Sequence, residues 1–237
     1  MSYAGAYSIE ELVCACNPAE ELCNVKYLPG SLSRIFSDIG SARTFASDET
    51  LFRAGQPSRF FYRIEAGMVR RYVAVSARCR QITGFSLPGD WIIPSLTGQS
   101  RYSADAIDAV TATSFAQSSV ARAWREYPTI LEEFHRLAHD QLAAAEDHLR
   151  LLGHRRSEDK IAEFLLMMRD RWAQAGIKSI TVHLPMPRRD IADYLGVTVE
   201  TVSRTLARFA RERVILLVPQ GVRLMEPDIL RRDLATR

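Results

Sequence analysis

Short apolar runs separated by turn residues occupy the chain from Ser41 to Ser118. One example is Phe60-Phe61-Tyr62-Arg63-Ile64, and the turns include Gly67 and Pro88-Gly89-Asp90. Aromatic and β-branched residues between closely spaced turns are typical of antiparallel strands. The pattern therefore predicts an antiparallel barrel or jelly-roll over this part of the chain.

A helical period replaces this pattern from Pro128 onward, with seam positions spaced alternately four and three residues apart. The seam consists of Leu131, His135, Ala138, Leu142, Ala145, Leu149 and Leu152. This spacing is that of the a/d stripe of a two-stranded coiled coil. We therefore predict a helix over residues 128–153 that dimerises through every seam residue except His135. The alternative is an amphipathic helix packed on its own domain.

Two short helices joined by a glycine follow further along the chain. The first spans residues 188–195, Gly196 breaks it, and the second follows directly. Apolar residues at helical spacing face inward on both: Ile191, Ala192, Leu195, Val202, Leu206 and Phe209. Two helices linked by a tight glycine turn predict a helix-turn-helix. Residues 214–218 and 222–224, separated by Pro219-Gln220-Gly221, predict a β-hairpin, which would form a wing.

The composition is typical of a folded globular chain of one or two domains, with 47% hydrophobic and 25% charged residues over 237 positions. The formal net charge is only +3, but it is unevenly distributed. Residues 155–237 contain 16 basic and 11 acidic side chains, whereas the first 154 residues contain 15 and 17. A basic C-terminal part joined to a mildly acidic N-terminal part favours a nucleic-acid partner for the helix-turn-helix.

The outward face of the second helix carries side chains that can recognise DNA bases. Arg204 can donate two hydrogen bonds to guanine O6 and N7, and Glu200 can accept one from the N4 amino group of cytosine. Ser203 can contact a base or a phosphate, and Val199 can touch a thymine methyl group. Residues predicted to contact phosphates are Arg188, Arg189, Thr198, Thr201, Arg208, Arg211 and Arg213. The alternative is a solvated polar face on an ordinary helical hairpin.

The run Leu195-Gly196-Val197-Thr198-Val199-Glu200-Thr201-Val202-Ser203-Arg204 resembles the recognition segment of the Crp/Fnr superfamily of bacterial transcription regulators. It is similar to the FNR and FixK branch, whose pattern is LGLT-V-E-T-[IV]-S-R. The resemblance runs from about Thr44 onward and implies an α+β fold. The implied segments are a cysteine-bearing leader over residues 1–25, a cyclic-nucleotide-binding-type β-roll (jelly-roll) over 26–127, a dimerisation helix over 128–153 and a winged helix-turn-helix over 154–237.

The resemblance also implies a function. It implies inverted TTGAT-type half-sites, with Arg204 and Glu200 at the single G·C pair and Ser203 at the neighbouring thymine. Most such proteins activate transcription by touching RNA polymerase. FixK and FNR relatives commonly control microaerobic respiration, denitrification or nitrogen fixation. We therefore expect a homodimeric activator of oxygen-limitation genes, with double-stranded DNA and RNA polymerase as its partners.

Four cysteines raise the question of an iron–sulfur cluster: Cys14, Cys16, Cys23 and Cys79. The resemblance implies the FNR arrangement, in which three leader thiolates and one β-roll thiolate hold a [4Fe-4S] cluster. Here one residue separates Cys14 from Cys16, where the family leaves two or more, and Ala116 matches the β-roll cysteine. We therefore expect no cofactor, as in the cluster-free FixK members. A cluster-bearing direct oxygen sensor is the alternative, and cysteine oxidation is a further route.

Control by a cyclic nucleotide is a less favoured alternative. In the nucleotide-binding members a Gly-Glu pair holds the ribose and an Arg-Ser/Thr-Ala run holds the phosphate. The matching positions here are Pro94-Ser95 and Arg101-Tyr102-Ser103-Ala104, where one residue intervenes after the arginine. Without the glutamate, and with the arginine offset, we do not expect nucleotide control. We expect His135, His139 and His148 on the helix surface or seam rather than at a metal.

Neither an enzyme nor a membrane protein fits the sequence. There is no Gly-rich phosphate loop, no nucleophile elbow and no HExxH zinc pair. No apolar run approaches the roughly 20 residues of a membrane span. The first residues lack the basic and apolar regions of an export signal. We therefore expect a cytoplasmic protein without catalytic activity.

Overall fold

The computed structural model describes residues 39–76, 79–96, 98–153 and 156–230, and the predicted leader lies outside them. The first half contains β1 (Gly40–Phe45), β2 (Thr50–Phe52), β3 (Phe60–Ala66), β4 (Val69–Ser76), β5 (Cys79–Ser86), β6 (Trp91–Ile92), β7 (Ser103–Ala106), β8 (Val110–Ala116) and α1 (Gln117–Glu126). The second half contains α2 (Pro128–Leu152), α3 (Ser157–Gln174), β9 (Thr181–His183), α4 (Arg188–Leu195), α5 (Val199–Arg211), β10 (Ile215–Val218) and β11 (Gly221–Leu224). None of the helices in the described ranges is both long enough and apolar enough to span a bilayer.

The strands of the first half form two four-stranded antiparallel sheets, ordered β1-β8-β3-β6 and β2-β7-β4-β5. Side chains from both sheets meet in one hydrophobic cluster, where Phe52 stacks on Tyr62 with ring centroids 6.0 Å apart. Between β3 and β4, Gly67 has a φ of +82°, and a Cβ there would lie 2.3 Å from the Ala109 carbonyl oxygen. Glycine is therefore required at this turn. The predicted jelly-roll is confirmed.

Helix α2 is anchored at its start and exposes apolar residues further along. Pro128 occupies its first turn, where the missing N–H removes no helical hydrogen bond. Phe134 is buried edge-on against Trp124 of α1, with ring centroids 4.9 Å apart. Leu142 and Leu149, in contrast, remain 59% and 69% exposed. The helix predicted over residues 128–153 is present, and its leucine stripe faces solvent in a single chain.

Helices α3, α4 and α5 pack with the three-stranded sheet β10-β11-β9. Helix α4 ends at Gly196, whose φ of +63° is the left-handed conformation that suits a residue without a Cβ. The predicted inward-facing residues are buried: Ile191, Ala192, Leu195, Val202, Leu206 and Phe209. Val218 pairs with Gly221 across the β10–β11 hairpin, at the position of the predicted wing. The predicted helix-turn-helix is confirmed.

The two halves of the chain share one hydrophobic core. Phe85 of β5 packs against Phe164 of α3 and Tyr194 of α4, with ring centroids 6.2 and 5.4 Å away. Met68 and Ile82 of the roll belong to the same buried cluster. Close packing of this kind holds the packed elements in one arrangement. The helix-turn-helix is therefore docked on β4 and β5 as well as joined to the roll through α2.

Candidate nucleic-acid interface

Thr198 begins helix α5, which we call the recognition helix. Its Oγ1 accepts a hydrogen bond from the Thr201 N–H at 3.1 Å and lies 2.9 Å from the Thr201 hydroxyl oxygen. In this N-cap a threonine satisfies an N–H of the first turn that has no partner within the helix. Both threonines predicted to contact phosphates therefore lie at the helix N-terminus, whose partial positive charge attracts anions.

The four side chains predicted to contact bases lie near one another on the recognition helix. Those of Arg204 and Glu200 are 69% and 83% exposed, and Arg204 Nη1 lies 3.8 Å from Glu200 Oε1. Val199 is exposed, and Ser203 is half-buried beside them. Because the major groove admits an α-helix, this face can present hydrogen-bonding groups to adjacent base edges. The structure thus brings the predicted group together.

The arginines predicted to contact phosphates differ in their surroundings. Arg188 and Arg189 are exposed in the first turn of α4. Arg208 instead pairs with Glu158 of α3, and its Nε lies 3.6 Å from a carboxylate oxygen of Glu212. A phosphate at Arg208 would compete with Glu158 and Glu212 for the guanidinium. The start of α4 consequently presents arginine side chains to solvent, whereas Arg208 is already engaged.

A buried carboxylate behind the recognition helix was missed by the sequence prediction. Asp190, in the first turn of α4, is fully buried and accepts hydrogen bonds from Arg70 at 3.1 Å and from Arg80 at 2.5 Å. Burial raises the pKa of Asp190, whereas the two arginine charges act in the opposite direction. The arginines lie 120 and 110 residues earlier in the chain, and no periodicity connects them with α4.

His148 lies in the interior, so the expected position on the helix surface or seam is wrong for this residue. Its ring stacks on that of Tyr194 in α4 with centroids 4.0 Å apart, and its Nε2 donates to the Tyr194 carbonyl at 2.8 Å. Burial lowers the pKa of His148, and the hydrogen bond with the Tyr194 carbonyl offsets only part of that effect. The prediction failed because heptad spacing identifies the outer stripe of α2 and not the face on which α4 packs. His135 and His139 are exposed.

The predicted dimer contacts of α2 face solvent in the single chain. Five are exposed and the last is half-buried: Leu131, Ala138, Leu142, Ala145, Leu149 and Leu152. Contiguous apolar surface of this kind marks a site of interaction. The structure leaves this stripe exposed in the single chain.

Tyr102 packs against the core between the two sheets of the roll. Its ring meets Phe52 at 5.5 Å between centroids, and its hydroxyl donates to the Ile93 carbonyl at 3.1 Å. In the nucleotide-binding run the residue directly before the serine or threonine is an arginine, and here that residue is Tyr102, which precedes Ser103. Arg101, one position earlier, is exposed. A phosphate needs a cation with nearby donors. The tyrosine ring itself supplies no such cation, and the Arg71 guanidinium beside it lies 5.9 Å from the ring centroid.

Of the four cysteines, Cys79 alone lies in the part of the chain that the structure describes, where it is exposed at the start of β5. Cys14, Cys16 and Cys23 lie outside that part. Within the described ranges, no group of three or more His, Cys, Asp or Glu side chains could hold a metal ion. A [4Fe-4S] cluster needs four ligands. The described residues do not fit a cluster by themselves.

Two family models match the chain. A Crp-like helix-turn-helix domain matches residues 159–233, and a cyclic nucleotide-binding domain matches residues 42–127. The nitrogen fixation regulation protein FixK of Bradyrhizobium diazoefficiens is 42% identical over 194 residues, which are 82% of each chain. The chain belongs to the Crp/Fnr family. It is a transcription regulator of the FixK type and not an enzyme.

Two further proteins are similar to this Crp/Fnr regulator over most of its length. The transcriptional activatory protein AadR of Rhodopseudomonas palustris is 39% identical over 183 residues, 77% of each chain. The structure of FixK2 from Bradyrhizobium japonicum superposes with a TM-score of 0.76 at 31% identity, covering 82% of this chain and 96% of the FixK2 chain. The α+β fold predicted from the sequence is thus shared with solved Crp/Fnr regulators.

Proposed function

We propose that this Crp/Fnr regulator binds inverted TTGAT-type half-sites as a homodimer and activates transcription there. The observation that carries the proposal is the outward pair of Arg204 and Glu200 on a capped recognition helix. Arg204 would contact guanine and Glu200 the cytosine of the same base pair. Ser203 would contact the neighbouring thymine, and Val199 a thymine methyl group.

Phosphate contacts would hold the protein on the duplex around these base contacts. The proposed ones come from both helices of the hairpin: Arg188, Arg189, Thr198, Thr201 and Arg208. Such contacts position the protein without selecting a sequence, and they make binding weaken as the salt concentration rises.

Helix α2 would join the two protomers. In this arrangement residues 26–127 would form a sensor-type roll, residues 128–153 would dimerise and residues 154–237 would bind DNA. Two recognition helices related by two-fold symmetry would enter successive major grooves, about 34 Å apart. An inverted repeat follows from that symmetry.

The proposed role is the control of genes used under oxygen limitation, such as those for microaerobic respiration, denitrification or nitrogen fixation. The FixK relative, a nitrogen fixation regulation protein, supports this role. Activation would proceed in the cytoplasm through contact with RNA polymerase. Chromatin immunoprecipitation at low and high oxygen would test the role. Occupancy upstream of respiratory or nitrogen-fixation genes at low oxygen supports it, and binding confined to unrelated genes contradicts it.

We propose control without a bound nucleotide or a resident cofactor. The position of Tyr102 supports the first part, and the departures in cysteine spacing support the second. Protein purified without air should be colourless and should bind DNA equally well before and after exposure to air. A coloured protein that loses both its visible absorbance and its DNA affinity in air would establish the iron–sulfur alternative.

Fluorescence anisotropy with labelled duplexes tests the DNA-binding proposal. The full chain should bind an inverted TTGAT-type duplex about a thousandfold more tightly than a scrambled duplex at physiological salt. Affinity for both should fall as the salt concentration rises, because both rely on phosphate contacts. Equal affinity for the two duplexes would contradict the proposal.

A further inference from the structure

Helix α4 is fastened to the roll by ion pairs that cross between the two halves of the molecule. Asp190 of α4 is fully buried between Arg70 of β4 and Arg80 of β5. The Nε of Arg80 also lies 3.4 Å from the carboxylate of Asp193 on the same helix. A buried pair is weak evidence for stability, because desolvation offsets much of its attraction. Its geometry is nevertheless directional, so it can define one orientation of α4 against the roll.

Directional hydrogen bonds hold the other end of α4. Gln81 of β5 donates through Nε2 to the Asp193 carbonyl at 2.6 Å. His148 of α2 donates to the Tyr194 carbonyl at 2.8 Å, and its ring is within 2° of parallel to that of Tyr194. Apolar burial alone is non-directional. Together with the ion pairs, these bonds restrict rotation and sliding of α4 on its apolar support.

The orientation of α4 determines that of the recognition helix. Only a short turn separates the two helices, and within it the Val197 N–H donates to the Ala192 carbonyl at 3.1 Å. Their inner faces belong to the same buried cluster. The contacts with the roll involve α4, while Arg204 on the recognition helix remains 69% exposed. Docking on the roll therefore orients the base-contacting face without covering it.

We propose that Arg70 and Arg80 of the roll are positioning residues for DNA recognition. By holding Asp190, they give each protomer's recognition helix the orientation needed to engage both half-sites at once. The inference rests on the proposed dimeric function. Two linked binding events reinforce each other only when their geometry permits simultaneous engagement. Loosening α4 should consequently weaken binding to an inverted pair of half-sites far more than binding to one half-site.

The test compares Arg80→Gln with the wild type on two duplexes, one with both half-sites and one with a single half-site, in the full-length protein. Arg80 is the sharper choice because Arg70 also pairs with Asp48 and Asp105. We expect about a tenfold loss of affinity on the two-site duplex and less than about a threefold loss on the single site. The matched control is Arg63→Gln, which removes a roll arginine paired with Glu65 on β3. It should leave both affinities unchanged.

A double-mutant cycle then asks whether Arg80 acts through Asp190. Asp190→Asn should show the same selective loss, and the two substitutions together should lose less than the product of their separate effects. Retained single-site affinity shows that the helix-turn-helix of a variant is folded. Equal losses on both duplexes, no loss, or a gain in affinity would each overturn the inference. If the wild type itself does not prefer the two-site duplex, the proposed function fails instead.

Discussion

Arg204 has a weak partner on its own helix. Its guanidinium lies 3.8 Å from the carboxylate of Glu200, and both side chains are largely exposed. Exposed ion pairs at this spacing contribute little to stability. The guanidinium can therefore leave Glu200 for a guanine edge at small cost. Glu200 is then free to accept a hydrogen bond from the opposite cytosine.

Replacing Arg204 with alanine should remove sequence discrimination at one base pair. We expect a loss of about 1–3 kcal/mol in binding free energy per half-site of an inverted TTGAT-type duplex, because the bidentate guanine contact disappears from each half-site. Affinity for a duplex in which that G·C pair is changed should hardly differ between Arg204→Ala and the wild type. Anisotropy titrations on the two duplexes measure both quantities. An unchanged preference for the G·C pair in the variant would contradict the assignment.

Arg189→Ala is the contrasting variant, because Arg189 is an exposed arginine at the start of α4. A lost phosphate contact should weaken binding to every duplex by a similar factor. It should also reduce the slope of log affinity against log salt concentration by about one per protomer, or about two for the homodimer. Titrations at several salt concentrations check this. A change in base preference without a change in slope would speak against a phosphate contact.

His148 should make the folded state sensitive to mild acid. Its pKa is lowered by burial, so the unfolded chain takes up a proton at a higher pH than the folded one. His148 therefore does not reduce the free energy of unfolding above about pH 6.5. As the pH falls below that value, the free energy of unfolding decreases by up to about 1.4 kcal/mol per pH unit. Thermal or urea unfolding at about pH 7.5 and about pH 5.5 measures the effect.

Burial also lowers the pKa of His183. The His148→Gln variant therefore separates the contribution of His148 to the pH dependence of stability from that of His183. The variant should be less stable than the wild type at neutral pH, and its stability should fall less on acidification. An identical pH dependence in the two proteins would show that His148 does not titrate as its burial requires.

At the scale of elements, α2 carries different roles on its two faces. His148 packs against α4, whereas the adjacent stripe of leucine and alanine faces solvent. Leu142→Glu should place a charge in the seam and shift the protein from dimer to monomer at micromolar concentration. Sedimentation velocity measures the shift, and binding to the two-site duplex should weaken with it.

Ala143→Glu is the matched control for Leu142→Glu, since Ala143 is also exposed but lies outside the heptad seam. The control should remain dimeric. Dissociation of both variants, or of neither, would contradict a dimer interface that follows the seam.

The elements that sequence patterns could predict are those with local signals. Three such signals each occupy one short stretch of chain. They are the helical period of residues 128–153, the glycine break at Gly196 and the outward face that carries Arg204 and Glu200. The cap at Thr198 belongs to the same class, because it involves residues three positions apart. Helical periodicity alone was sufficient to group the four proposed base contacts on the recognition helix.

At the scale of the whole molecule, the docking of the helix-turn-helix on the roll had no such signal. Arg70 and Arg80 meet Asp190 across 120 and 110 residues of chain, and an arginine on a strand is ordinarily exposed. The net charge of +3 likewise says nothing of these contacts, because basic residues of the roll are paired with acidic residues of α4. Tertiary contact, and not local pattern, decides the orientation of the recognition helix.

Dimeric recognition of DNA is tested by selecting bound duplexes from a random DNA library with the full-length chain and sequencing them. We expect an enriched inverted repeat of TTGAT-type half-sites, with centres about one helical turn apart. Selection with Arg204→Ala should lose the preference at the G·C pair and keep the rest of the repeat. An enriched motif without two-fold symmetry, or no enriched motif, would contradict dimeric recognition through Arg204 and Glu200.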